Sequence, residues 1–272
     1  MAAKKVTFAD IAKYPNFSKT TISRYFNNPD SLTLENQKKI ARALDELGYQ
    51  ENKLAKVLAN GKSEFVGIII PNLYLHYYSE MLNQILSSYS DYHYKFLVFV
   101  NSDKKELEQQ YLDELMAYKI EGLIVLSHTF PSEELASYHI PVVAIEREAE
   151  HICSVDTDNY MGAVQAASLL IHNDCDVLIH INVPVPEKVP AFQRIRGFED
   201  TCREQNLPYK LLLRDLGNTY ETTFEAIKEV FEEIEASYPG KKKGVFLAND
   251  TYANIFLNLV FQKYGKLPED YQ

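Results

Sequence analysis

The stretch Thr7-Phe8-Ala9-Asp10-Ile11-Ala12-Lys13-Tyr14-Pro15-Asn16-Phe17-Ser18-Lys19-Thr20-Thr21-Ile22-Ser23-Arg24-Tyr25-Phe26 holds two helix starts separated by one break. A hydroxyl and a carboxylate spaced as Thr7 and Asp10 are can satisfy each other's backbone N–H groups, which opens a helix with Phe8, Ile11 and Ala12 on its inner face. Pro15 ends that helix. Asn16 stands where the chain must turn through positive φ, which asparagine tolerates better than most non-glycine residues. Ser18 caps the second helix, 19–26, and Asn27-Asn28-Pro29-Asp30 stops it. Thr33 opens a third, in which Ile40, Leu44 and Leu47 recur at helical spacing before Gly48. Two short helices joined by a tight turn and braced by a third make a helix-turn-helix.

Beyond Gly48 the texture changes twice. Residues 49–63 are polar, with one helical pattern at 52–58 that is too short to persist alone in water, so a linker that orders on a partner is expected. From Phe65 onward, apolar runs at 65–70, 96–100, 122–126, 141–145, 177–181, 211–213 and 244–248 alternate with amphipathic stretches such as 77–89, 105–118, 159–172, 192–205 and 220–237. Continuous apolar strands separated by helices predict an α/β body with parallel sheets behind the small all-α head. Spacing alone leaves one large sheet or two smaller ones open. There is no internal repeat and no low-complexity segment.

Composition narrows the class. A chain of 272 residues, 46% hydrophobic and 24% charged, suits two globular domains. Ten glycines, eleven prolines and three cysteines exclude collagenous, compositionally disordered and disulfide-dense proteins. The cysteines include no C-x-x-C, the N-terminus has no apolar run behind its basic start, and no apolar span of about 18 residues occurs. A reducing cytoplasmic location without membrane contact is therefore expected. The charge is unevenly spread: residues 1–62 hold 11 Lys and Arg against 6 Asp and Glu, or +5, and the remainder holds 17 against 32, or −15. A basic head on an acidic body fits a chain that meets a polyanion at one end only.

Enzyme signatures are absent from the sequence. There is no G-x-G-x-x-G, no phosphate loop of Walker type and no G-x-S-x-G, and the first strand runs into Pro71-Asn72-Leu73-Tyr74 instead of glycines. His172-x-x-Cys175 with His180 has too few ligands at close spacing for a metal site and reads as packing. The run Glu225, Glu229, Glu232, Glu233 and Glu235 reads as the solvated side of a helix. No catalytic residue, cofactor or metal is assigned. Binding signals are stronger, because ligands of parallel α/β sheets sit beyond the strand C-termini. There the chain offers Asn72 with Tyr74, Tyr77 and Tyr78; Glu146-Arg147; Asp156 and Asp158; Arg194 after a Pro-rich loop; and Asn249-Asp250. Carboxylates, amides and an arginine beside aromatic faces suit a polyhydroxylated ligand such as a sugar, although each one singly is also an ordinary loop residue.

Val6-Thr7-Phe8-Ala9-Asp10-Ile11-Ala12, Phe17-Ser18-Lys19-Thr20-Thr21-Ile22-Ser23-Arg24 with Asn27, Leu47-Gly48-Tyr49 and Asn52-x-x-Ala55-Lys56-x-Leu58 resemble the DNA-binding head of LacI/GalR-family transcriptional regulators. The body resembles the same family's effector domain, whose fold is that of periplasmic sugar-binding proteins, through Val66-Gly67-Ile68-Ile69-Ile70-Pro71, Ile120-Glu121-Gly122-Leu123-Ile124, Val155-Asp156-x-Asp158-Asn159 with Gly162, Arg194-x-Arg196-Gly197-Phe198 and Ala248-Asn249-Asp250. The chain departs from the family pattern at Pro15-Asn16 (usually Ala-Gly), Glu51 (Pro), Lys56 (Arg), Glu146 (Asp) and Asn173-Asp174 (Gly-His). Family chains normally continue into a further strand and a Gly-x-Asp segment; this sequence stops at Tyr271-Gln272, so a second subdomain lacking its last elements is expected.

The resemblance implies an organisation of helix-turn-helix 1–48, hinge 49–62 and two effector-binding subdomains, 63–160 and 161–272. It implies that Lys19, Thr20 and Arg24 reach base edges in the major groove while Thr7, Ser18, Ser23 and Asn27 hold phosphates. In the hinge, Leu58 is expected to wedge into the minor groove with Ala55 and Lys56 beside it. Asn72, Tyr77, Glu146, Arg194 and Asn249 are the expected effector contacts. The implied partners are double-stranded DNA with a near-palindromic operator, a second copy of the chain, and a small sugar or sugar phosphate. A repressor of carbohydrate-utilisation genes is expected; an activator of the same family and a cytoplasmic solute-binding protein are the alternatives.

Overall fold

In the computed structural model, which describes residues 6–13, 16–49, 61–101 and 104–272, the chain divides after Gly61 into a helical head and an α/β body. The head opens as its capping residues dictate. Asp10 Oδ2 accepts from the Thr7 amide at 3.0 Å and the Thr7 hydroxyl at 2.6 Å, starting α1 (Phe8–Lys13). Asn16 takes φ 57°, and the Phe17 N–H then closes the turn on the Ala12 carbonyl at 2.9 Å. The Ser18 hydroxyl accepts from the Thr21 amide at 3.1 Å to start α2 (Lys19–Asn27). A single 3₁₀ turn, Pro29–Ser31, leads to α3 (Leu34–Glu46), capped by Thr33 and stopped at Gly48 with φ 60°. The three helices close around Ile11, Ala12, Ile22, Ile40 and Ala43, all buried. Each such isoleucine contributes about 1.5–3 kcal/mol through burial, which a head this small cannot spare. The expected hinge helix with Ala55, Lys56 and Leu58 lies outside the described residues.

The body contains two parallel sheets, which decides between the arrangements the sequence left open. The first lobe orders β1 (Phe65–Ile70), β2 (Lys95–Val100), β3 (Gly122–Val125), β4 (Val142–Ile145) and β5 (Cys153–Val155) as β2-β1-β3-β4-β5. Its helices are α4 (His76–Ser87), α5 (Tyr89–Tyr92), α6 (Lys105–Ala117) and α7 (Ser132–Ala136). Both faces of β1 are covered: Ile69 packs with Leu112 and Leu115 of α6, while Ile68 and Ile70 pack towards Met81, Leu82 and Ile85 of α4. That two-sided burial is why the strand reads as an unbroken apolar run. Gly67 suits that packing, because a Cβ would sit 2.9 Å from the end of the Leu115 side chain, which would have to shift.

The second lobe orders β6 (Val177–Asn182), β7 (Tyr209–Leu213) and β8 (Lys243–Leu247) as β7-β6-β8. Its helices are α8 (Asn159–His172), α9 (Phe192–Glu204), α10 (Tyr220–Ser237) and α11 (Asp250–Tyr264). Val177, Ile179 and Ile181 face the cluster of Ile227, Phe231, Ile255 and Phe256, and Leu178 faces Ala163, Ala167 and Phe198. Gly197 lets α9 lie against α8, since a Cβ there would meet the Tyr160 carbonyl at 2.4 Å. Tyr271 bridges in parallel to Lys243 on the outer edge of β8. His180, read from the sequence as packing, lies in this core with no exposed surface and stacks on Phe246 at 4.6 Å.

Candidate functional site

In the head, the side of α2 opposite Ile22 carries Thr20, Arg24 and Asn27, with Lys19 at the helix start, and all four are exposed. Ser18 is exposed but already caps α2, and its hydroxyl lies 2.9 Å from that of Thr21. Ser23 accepts from Asn27 Nδ2 at 3.2 Å, one turn apart along the same side. Thr7 is exposed at the start of α1 and is held by Asp10. The helix thus presents two cations and several short polar groups on one rigid face. Cations and short hydroxyls or amides are the groups that pair with phosphate oxygens and base edges.

In the body, the strand C-termini of both lobes open onto one cleft of about 1060 Å³. Tyr77, Glu146, Arg194 and Asn249 all line it. Asn72 does not; it borders an adjoining cavity of about 430 Å³, and its Oδ1 accepts from the Tyr74 and Leu75 amides at 3.1 Å each. Asn249 caps α11 through the Tyr252 amide at 3.0 Å. Asp156 accepts from the Ser154 hydroxyl at 2.8 Å, and Asp158 caps α8 through the Met161 amide at 3.0 Å.

Glu146 follows β4 with φ 53°, a left-handed conformation that costs a non-glycine residue of order 1 kcal/mol. Its N–H reaches the Val155 carbonyl at 3.2 Å, and its carboxylate accepts from the Thr157 amide and from Asn159 Nδ2 at 2.9 Å. Arg194 enters from α9, giving Nη1 to the Ala248 carbonyl and Nη2 to Asn159 Oδ1, both at 2.6 Å. Burial lowers the Arg194 pKa, against the pull of Glu146 and Tyr77. Tyr77 stands edge-on to Tyr78 at 5.2 Å. Its hydroxyl is buried with no hydrogen-bond partner, and burial together with the Glu146 charge pushes its pKa up to about 12, so it remains an O–H donor at neutral pH.

The neighbouring arginine serves differently. Arg147 is 2% exposed and gives its N–H groups to the carbonyls of Ser127, Phe130 and Glu148. It thereby fixes the loop whose His128, Thr129 and Phe130 line the cleft. Behind it Glu108, fully buried, accepts from Asn101 and from the Ser127 hydroxyl at 2.7 Å. Glu148 is drawn down to about 2 by the Ser132 hydroxyl at 2.5 Å, with burial opposing. At the cleft mouth the His76 amide donates to Thr251 Oγ1 at 3.0 Å, and His76 Nε2 lies 3.8 Å from Asp250. The sequence placed Asn159 only within a motif and offered Arg147, beside Glu146, as a ligand-binding group, whereas its guanidinium is engaged with backbone carbonyls. The one available signal for Asn159 was its place beside Asp158 at the start of the helix that follows β5, where side chains point toward strand ends.

Comparison with known proteins agrees with both halves. Residues 7–52 match the family of bacterial regulatory proteins of the lacI type, and residues 63–255 match the periplasmic binding proteins and sugar binding domain of the LacI family. The chain is 28% identical to the HTH-type transcriptional regulator GntR of Escherichia coli strain K12 over 278 aligned residues, covering 99% of this chain and 81% of that protein. It is 27% identical to the ribose operon repressor of Halalkalibacterium halodurans, covering 98% and 78% respectively. Among solved structures, the lac repressor dimer bound to operator and the anti-inducer ONPF superposes with a TM-score of 0.80 at 19% identity, covering 98% of this chain and 81% of that one. At that identity the likeness speaks for the fold.

Proposed function

Because the chain belongs to the LacI family of bacterial regulators, we propose that it is a sequence-specific DNA-binding repressor of carbohydrate-utilisation genes, released from or held on its operator by a sugar-like ligand in the cleft. The observation that carries this reading is the pairing of an exposed cationic helix face, Lys19, Thr20 and Arg24, with a cleft rich in uncommitted hydrogen-bonding capacity around Tyr77, Glu146 and Arg194. Lys19 and Arg24 supply donors for guanine edges, and Thr7, Ser18, Ser23 and Asn27 supply phosphate contacts. Ala55, Lys56 and Leu58 belong to a hinge that folds on DNA, with Leu58 as the wedge. Relatives named as ribose and sucrose operon repressors support the choice of a carbohydrate ligand.

In the cleft, a ligand hydroxyl donates to Glu146 while another accepts from Arg194 or from the Tyr77 hydroxyl; Asn249 flanks them, and Asn72 acts from the adjoining cavity. One head reads too few base pairs for tight binding alone, so a homodimer on a near-palindrome is the working form, in the cytoplasm. The division 1–48, 49–62, 63–160 and 161–272 is the functional one. We assign no enzymatic role: Ser132, which lies beside a carboxylate and a histidine, is 1% exposed and donates to Glu148, whose carboxylate, held down at about 2, is too weak a base to activate a hydroxyl.

Fluorescence anisotropy tests this reading, using the full chain with palindromic DNA from upstream of its own gene and a scrambled duplex over a salt series. A preference of about a thousandfold or more, with a steep salt slope, is expected. Equal weak binding to both duplexes overturns the assignment as a specific regulator.

A further inference from the structure

Two opposite charges face the same cleft from different lobes without meeting. The Glu146 charge acts on Arg194, yet each spends its short hydrogen bonds elsewhere. Asn159 lies between them. Its Nδ2 donates to Glu146 Oε2 at 2.9 Å and to the Thr157 carbonyl at 3.2 Å, while its Oδ1 accepts from Arg194 Nη2 at 2.6 Å. Only one orientation of the amide satisfies both neighbours, because the reverse would set NH₂ against a guanidinium and oxygen against a carboxylate. The residue is 5% exposed, so water has little room to take over either bond.

We infer that Asn159 is the positioning residue of the cleft, holding Glu146 and Arg194 apart so that ligand hydroxyls, and not the two ions themselves, complete their hydrogen bonds. This rests on the ligand reading given above. A direct Arg–carboxylate pair would be bidentate and would consume the donors and acceptors a ligand needs. The neutral amide takes one bond from each and leaves the rest. The surrounding anchors keep that spacing from relaxing: Glu146 is tied by its own N–H to Val155 at 3.2 Å, and Arg194 by Nη1 to Ala248 at 2.6 Å. The left-handed backbone at Glu146, φ 53°, aims its carboxylate at the start of α8, where Asn159 sits.

Ligand-free crystal structures of full-length Asn159→Ala and Asn159→Asp read the spacing directly. In Asn159→Ala, Arg194 and Glu146 should close to ion-pair distance. In the isosteric Asn159→Asp, which keeps the acceptor for Arg194 and serves if the alanine variant does not fold, like-charge repulsion should displace Glu146 while Arg194 stays. Glu146 and Arg194 unmoved in the folded variants overturns the inference. Calorimetric titration with D-ribose and sucrose gives a second readout, with an expected loss of about tenfold or more in affinity for Asn159→Ala. Undiminished affinity despite a collapsed pair also overturns it. A wild-type chain that binds neither sugar counts against the ligand reading alone, and the crystals still decide the spacing.

Discussion

The two lobes hold polar groups near the ends of a parallel sheet in opposite ways. The first buries ions: Glu108 has no exposed surface and Arg147 2%, and between them they satisfy Asn101, Ser127 and the carbonyls of Phe130 and Glu148. The second buries a neutral ring, His180, and brings its arginine, Arg194, to the cleft with only two bonds committed. A guanidinium whose three nitrogens each reach a backbone carbonyl is a structural strut, whereas one that gives a single bond from each Nη keeps donors for a ligand. Two arginines that border the same cleft, Arg147 just beyond a strand end and Arg194 in the first turn of a helix, thus have different duties, and the difference is measurable.

The largest effect should come from removing the strut. Arg147→Met leaves the carbonyls of Ser127, Phe130 and Glu148 without their donor and strips the buried Glu108 of its nearby positive charge. A cost of about 3–5 kcal/mol in urea unfolding is expected, most of it from the uncompensated interior. Arg147→Met at wild-type stability would break the comparison at once.

Next comes the neutral ring. His180 Nδ1 donates to the Phe246 carbonyl at 2.9 Å and Asn182 Nδ2 approaches Nε2 at 3.4 Å, a pairing that needs the uncharged imidazole. Burial holds its pKa down at about 4, with the Phe246 bond opposing and the Arg194 charge assisting. Below the ordinary histidine pKa of about 6.5 the unfolded chain takes up a proton that the folded chain refuses. Stability contributed by this site is therefore complete above pH ~6.5 and drains away as pH falls toward about 4, by up to about 3 kcal/mol. His180→Gln should flatten that part of the pH–stability curve while lowering stability at pH 7. A variant with the same acid-side slope as wild type would place the titration elsewhere.

How far this could be read without a structure differs by region for physical reasons. β1 and β6 were legible because burial on both faces forces continuous apolar runs. β5 was not, since Cys153–Val155 is exposed along its length and carries no pattern. The helix Asp250–Tyr264 escaped a similar reading because apolar residues surround it, with Ile255, Phe256 and Val260 buried but Leu257 and Phe261 partly exposed. In the cleft, side-chain type at strand ends pointed to Tyr77, Glu146, Arg194 and Asn249, whereas the division of labour between Arg147 and Arg194 depends on which carbonyls lie within reach. No spacing rule encodes that.

Arg194→Met should be gentler than Arg147→Met. It loses two charge-assisted bonds at a water-accessible cleft, for about 1–3 kcal/mol of stability, and it abolishes the response to sugar while leaving the head's DNA affinity intact. Loss of stability equal to that of Arg147→Met would make Arg194 a second strut and erase the distinction between the lobes.

The smallest change is the sharpest, because its two readouts should move in opposite directions. The Tyr77 hydroxyl is buried without a partner, so Tyr77→Phe deletes an unsatisfied polar atom and no hydrogen bond. Thermal stability should hold or rise by up to about 1 kcal/mol, since a buried polar group left unpaired is a net cost in the ligand-free protein. Sugar affinity should fall by about five- to tenfold, the worth of one hydrogen bond to a neutral partner. The ring remains to pack edge-on against Tyr78, so packing alone cannot produce that loss. A less stable variant with undiminished sugar affinity would give the hydroxyl a structural partner, and Tyr77 would join Arg147 among the groups that serve the first lobe's interior.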